Sequence, residues 1–198
     1  MDLLLIRHAE PVRIVDAGAP ADPPLQDRGG LQAEALAAWL ADEHLDAVWS
    51  SPMRRARETA AAIAARVGME VVVDEGLAEF DREATSYVPL EELKATRDQR
   101  WVAMAEDNLA ELDVDTEAFR AGVVGAMERI ISANPGRTVA VVCHGGVINA
   151  YAAHVLGIER TLFFEPRYAS INRVAASRGG VRSVVSLNET AHVRRLLT

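Results

Sequence analysis

The sequence predicts an α/β fold, a three-layer α/β/α sandwich around a mostly parallel mixed sheet. Three observations carry that expectation. Leu3-Leu4-Leu5-Ile6 and Val139-Ala140-Val141-Val142-Cys143 are continuous apolar runs closed by polar or glycine residues. Such runs read as strands buried on both faces, as in a parallel sheet between helix layers. Segments with helical spacing alternate with the strands, the pattern that builds layered α/β domains. Near the C-terminus, residues 170–176 and 181–187 alternate in period two around Gly179-Gly180, which predicts one antiparallel hairpin.

The elements follow in order. After the first strand, residues 11–30 are rich in Pro, Asp, Ala and Gly and read as a long loop over the site. Residues 31–43 place Leu31, Ala35, Leu36, Trp39 and Leu40 at helical spacing, with Gly29-Gly30 ahead of them. Residues 46–50 form a short strand. Ser51-Pro52 then suits an N-cap and first helical position, and an alanine-rich helix runs to about Val67 and stops at Gly68. Residues 70–73 are a third strand. Residues 76–88 lack a period and read as a second loop at the site. Residues 89–108 and 116–133 read as helices, the latter closed by Asn134-Pro135-Gly136. A helix from about Val147 to Leu156, stopped by Gly157, follows the strand that ends at His144. Trp39 and Trp49 are expected in the core, Cys143 as a buried thiol, and His44 and His154 on helices.

Composition narrows the class. The 198 residues are 49% hydrophobic and 25% charged, which suits one globular domain over residues 1–198, with residues 76–134 open to being a mostly helical insertion over the site. A net charge of −8 with no basic face argues against nucleic acid as a partner. A single cysteine excludes an intramolecular disulfide and fits a reducing compartment. The apolar start lacks a preceding basic segment and is too short for a signal or a membrane span. A cytoplasmic location without membrane association is expected, and a homodimer is left open.

Four short pieces carry chemistry. Arg7-His8 and His144-Gly145-Gly146 each end an apolar strand, and in open sheets of this kind chemistry collects at the carboxyl ends of strands. A neutral imidazole there can attack phosphorus, and a neighbouring guanidinium can neutralise phosphate oxygens. Glycines after a strand let the backbone approach a ligand, and a helix N-terminus favours an anion. The third piece, Ser51-Pro52-Met53-Arg54-Arg55-Ala56-Arg57, puts arginines in a helix's first turn. They oppose the helix dipole there, so a compensating anion is expected, while at least one of Arg54, Arg55 and Arg57 must face solvent. The fourth is Leu77-Ala78-Glu79-Phe80-Asp81, where a carboxyl in a partly apolar loop can serve as general acid.

Taken together, Arg7-His8-Ala9-Glu10, Ser51-Pro52-Met53-Arg54-Arg55-Ala56 with Thr59-Ala60, Leu77-Ala78-Glu79 and His144-Gly145-Gly146 resemble the histidine phosphatase superfamily, in its phosphoglycerate-mutase-like branch. The likeness extends to Asp22-Pro23-Pro24-Leu25, Gly29, Gln32 and the stretch Leu187-Asn188-Glu189-Thr190-Ala191-His192. The resemblance implies a phosphohistidine intermediate with His8 as nucleophile. It implies Arg7, Arg55 and His144 as the phosphate pocket, Glu79 as proton donor and Gly145 as a backbone N–H donor. Ile14 stands where the family often has a phosphate-contacting asparagine. The residues after Glu79 depart from the family's pattern and leave Asp81 and Glu83 open as alternative acids.

The expected function is a metal-independent phosphatase that takes phosphate from a small molecule or phosphoprotein and needs no cofactor. A phosphoglycerate-type mutase is the alternative. Such mutases are generally longer, and little of this chain follows His192, so hydrolysis is expected. A noncatalytic phosphate-binding protein on the same fold is the second alternative, opposed by the complete set of Arg7, His8, Arg55 and His144.

Overall fold

The computed structural model describes residues 1–197. Six strands, β1 (Asp2–Arg7), β2 (Ala47–Ser50), β3 (Val71–Val73), β4 (Thr138–Cys143), β5 (Ile171–Ala176) and β6 (Arg182–Glu189), form one sheet in the order β3-β2-β4-β1-β5-β6. Strands β1 to β4 run parallel to one another, whereas β5 is antiparallel to β1 and to β6. The sheet is therefore the mostly parallel mixed sheet with a C-terminal hairpin that the pattern predicts. Gly180, at φ 88°, lies in the hairpin turn, a conformation that glycine adopts without strain.

Strand alternation sorts the core into two layers. On one face Leu4 and Ile6 of β1 and Ala140 and Val142 of β4 meet helices α1 (Asp27–Leu40) and α2 (Arg54–Val67), through residues such as Leu36, Leu40, Ala60 and Ile63. On the other, Leu3, Leu5, Val139, Val141 and Cys143 meet α5 (Thr116–Ala133) and α6 (Gly145–Leu156), through Met127, Ile130 and Tyr151 among others. Cys143 is fully buried, as expected of a core thiol. The parallel register pairs Arg7 with Cys143, and His8 N–H donates to the Cys143 carbonyl. That ladder sets His8 beside His144.

Several expectations are corrected. Residues 89–108 form two helices, α3 (Leu90–Thr96) and α4 (Gln99–Ala105), because Arg97 adopts a left-handed conformation at φ 51° and Asp98 caps the new start by accepting from Arg100 N–H. Helix α1 begins at Asp27, earlier than the apolar spacing indicates, and takes both glycines into its first turns. Gly29 is needed there, because a Cβ would run into the Glu10 carbonyl. Ser51-Pro52 is not the start of α2, which opens at Arg54 with its N–H donated to the Asp22 carboxylate. Trp39 is half exposed and lies beside His192, while Trp49 is partly buried against the α5/α6 layer. His44 sits in an exposed turn after α1.

Candidate active site

Strand ends, the first turn of α2 and the loop after β3 deliver the predicted residues to one place. His8 is almost fully buried, and its ring lies 5.1 Å from that of His144. Its Nδ1 lies 2.8 Å from the Ala9 carbonyl, which can only accept, so Nδ1 carries the proton. Its Nε2 accepts from Arg55 Nε–H at 3.3 Å. The two contacts fix the same tautomer and leave the lone pair on Nε2. Burial, then the Arg55 and Arg7 charges, holds the His8 imidazole well below its usual pKa, so it is neutral.

His144 is also neutral, held well below the usual imidazole value by burial first and then by Arg55, His8 and Arg7. Its Nε2 lies 2.7 Å from Ser51 Oγ, which itself accepts from Met53 N–H. The serine hydroxyl has no other acceptor among the described residues, so its proton goes to Nε2 and the neutral ring carries its own proton on Nδ1, as a donor. That buried Nδ1 has no protein partner.

Arg7 donates from Nη1 to the Pro166 carbonyl at 2.6 Å and lies 3.9 Å over the Tyr168 ring. Arg55, only 1% exposed, lies 4.7 Å over Tyr87 and donates from Nη2 to Asp81 at 3.1 Å. The hydroxyls of Tyr87 and Tyr168 meet at 3.2 Å, so the rings behind the two guanidiniums are tied together. Arg7 Nε and Arg55 Nη1 are buried without protein partners, like His144 Nδ1. Three N–H groups of one cluster thus remain free to receive acceptor oxygens.

Of the three arginines at the start of α2, only Arg55 turns inward. Arg54 pairs with Glu58 at 2.7 Å and Arg57 faces solvent. Thr59, one turn after Arg55, accepts from Ala9 N–H and donates to the Arg55 carbonyl, locking α2 to the backbone beside His8. His192 lies 2.8 Å from the Ala169 carbonyl, and Ala169 N–H donates to the His8 carbonyl. The C-terminal stretch thereby braces the same strand end.

Glu79 is buried and accepts from Gly146 N–H at 2.7 Å and Phe80 N–H at 3.2 Å. Burial, with the Asp81 charge second, pushes its carboxyl up to about 7 against the opposing pull of those N–H groups and Arg55. Gly146 has to be glycine, because a Cβ would run into Glu79 Oε1 and the Phe80 ring. Gly145 lines the cavity at the start of α6, beside Arg7 Nε. Asp81 is engaged by Arg55, and Glu83 is exposed and paired with Arg82. Ile14 pairs its backbone in both directions with Tyr87, anchoring the ring under Arg55 to the loop after β1.

Arg7, His8, Arg55, Glu79 and Gly145 open onto a cavity of about 1150 Å³, with His144 just behind. Sequence reasoning missed Ser51 as a partner of His144, Asp81 as a partner of Arg55, and the tyrosine pair. Among the described residues, no three His, Cys, Asp or Glu side chains cluster as a metal's ligand set. No described helix is long and apolar enough to cross a membrane.

The fold and its relatives define a phosphatase, a hydrolase of phosphoric monoesters. The chain belongs to the histidine phosphatase superfamily (branch 1), whose profile matches residues 3–190. It is 32% identical over 169 residues to phosphoserine phosphatase 1 of Hydrogenobacter thermophilus, covering 82% of this chain and 79% of that one. The structure of an Entamoeba histolytica phosphoserine phosphatase in complex with 3-phosphoglyceric acid matches with a TM-score of 0.76 at 25% identity, over 97% of this chain and 98% of the other. A mycobacterial glucosyl-3-phosphoglycerate phosphatase matches in fold with a TM-score of 0.73 at 22% identity, over 94% and 98%.

Proposed function

We propose that this enzyme hydrolyses phosphomonoesters of small molecules through a phosphohistidine formed on His8. One observation carries the reading: the Nδ1 contact to Ala9 leaves the His8 lone pair on Nε2, among the guanidiniums of Arg7 and Arg55. The 3.3 Å contact from Arg55 is long for a hydrogen bond, so that donor is readily given up to a phosphate oxygen.

In the first step Nε2 attacks phosphorus while the bond to the leaving oxygen breaks. Glu79, protonated, gives its proton to that oxygen. In the second step Glu79, now a carboxylate, takes a proton from water, the water oxygen bonds to phosphorus, and the P–N bond breaks. Inorganic phosphate leaves and both residues return to their starting states. Arg7, Arg55, His144 Nδ1–H and the Gly145 N–H hold the phosphoryl oxygens. Phosphoryl transfer depends mainly on such positioning and charge stabilisation. The buried, unpaired Cys143 suits a reducing compartment, and the reading places the enzyme in the cytoplasm. Residues 1–198 are read as one domain, with the segment from 76 covering the site.

Trapping tests the intermediate. With p-nitrophenyl phosphate in excess EDTA, an alkaline quench is expected to capture one phosphoryl group per chain, stable to base, labile to acid and mapping to His8. Turnover without any such adduct would reject the nucleophile.

The pH profile follows from Glu79. Its proton must be present for the first step, so kcat/KM is expected to fall about tenfold per pH unit above a limb near pH 7, where the carboxyl ionises. The second cause of its raised pKa is Asp81, so Asp81→Asn is expected to move that limb to lower pH. A limb unmoved in the variant would separate Asp81 from the acid.

A further inference from the structure

The cavity is larger than the phosphate chemistry needs, and its walls differ from the phosphate end. Its volume of about 1150 Å³ exceeds the ~300–1000 Å³ typical of drug-sized ligand pockets. Besides Arg7 and Arg55 it is lined by Phe80, Trp101, Met104, Phe119, Phe163 and Phe164, each only partly buried. This wall is built into the fold. Asn149, buried on α6, accepts from the N–H groups of both Phe163 and Phe164 and donates to the Phe164 carbonyl. Phe80 and Phe119 pack edge to face at 5.7 Å.

The charges on the lining point the same way. Every other lysine or arginine there already holds a protein carboxylate. Lys94 pairs with Glu165 at 3.0 Å, Arg82 with Glu75 and Glu83 at 3.4 and 3.2 Å, and Arg100 with Asp98 through two hydrogen bonds at 2.9 and 2.8 Å. Asp113 and Asp115 line the same cavity. A substrate carrying its own carboxylate would meet an acidic rim and no unpaired cation beyond those reserved for the phosphate. A large uncharged apolar body would cover aromatic surface otherwise left to water.

We infer that the substrate is the phosphomonoester of a bulky, uncharged, predominantly apolar alcohol, and not a phosphorylated amino or hydroxy acid. The inference rests on the phosphatase reading above. Remote apolar contacts of this kind raise kcat/KM when their binding energy is used to position the reacting group.

Matched substrates provide the test. Propyl phosphate and 3-phenylpropyl phosphate share a leaving group of similar basicity and differ in the apolar body. O-Phosphoserine and 3-phosphoglycerate supply the carboxylates, and p-nitrophenyl phosphate reports the chemistry alone. The wild-type enzyme is expected to prefer 3-phenylpropyl phosphate over propyl phosphate by on the order of 100-fold in kcat/KM, and over both acids by at least as much. Trp101→Ala and Phe163→Ala are each expected to shrink the phenylpropyl-to-propyl ratio roughly tenfold. Equal or better turnover of either acid, or a phenylpropyl-to-propyl ratio near one in the wild type, would overturn the substrate class while His8-dependent hydrolysis of p-nitrophenyl phosphate kept the phosphatase reading intact. Absence of turnover on all five compounds would overturn both.

Discussion

His8→Ala is expected to lower kcat by at least about 10⁴-fold, as removal of a covalent nucleophile does elsewhere. No neighbouring group can take over its task. His144 shares its proton network with Ser51 and offers the cluster an N–H, not a lone pair. The only cysteine, Cys143, lies on the opposite face of the strand, and burial pushes its thiol away from the reactive thiolate. Fold stability is a separate matter, since the ring removed is a neutral, buried group whose only strong bond is to the adjacent carbonyl. Steady-state rates with p-nitrophenyl phosphate, alongside a thermal melt that shows the variant folded, make the comparison. Residual turnover within tenfold of the wild type would remove His8 from the mechanism.

The second large effect is selective. Glu79→Gln is expected to cost about 10²–10⁴-fold in kcat with alkyl phosphates and far less with p-nitrophenyl phosphate, whose leaving oxygen departs without a proton. Glutamine keeps the size of the side chain and one carbonyl oxygen for the Gly146 N–H, so the loop after β3 is retained. The ratio of the two losses is the readout, because a merely structural defect would lower both rates alike. If Asp81→Asn gives the larger loss with alkyl phosphates, the acid has been assigned to the wrong carboxyl. Geometry favours Glu79, since Asp81 spends its carboxylate on Arg55 and Glu83 lies out in solvent against Arg82.

Much of this architecture was legible in the sequence because it depends on period and punctuation. Apolar runs ending in Arg7-His8 and Cys143-His144 located two strands and the side of the sheet on which chemistry sits. Tertiary partners were not legible. Ser51 looked like a helix cap from its neighbour Pro52, but a loop carboxylate, Asp22, takes the α2 N-terminus and frees Ser51 for His144. Nothing local says which of Arg54, Arg55 and Arg57 turns inward, because that depends on how α2 meets the sheet. The break between α3 and α4 rests on one left-handed arginine, a conformation that carries no composition signal, although Asp98 as a cap was available to be read. Tyr87 and Tyr168 lie far apart in the chain, and only folding joins their hydroxyls.

Strand pairing runs up to Arg7 and Cys143, and His8 N–H still bonds the Cys143 carbonyl, so the gap between the two imidazoles is set by the spacing of neighbouring backbones, about 4.8 Å in any sheet. Neither histidine depends on a flexible connection to find the other. The intervening loops and helices can therefore diverge in length and sequence to suit different alcohols while the reacting pair keeps its separation. A single residue inserted within β1 would do the opposite, sending the His8 side chain out through the far face of the sheet.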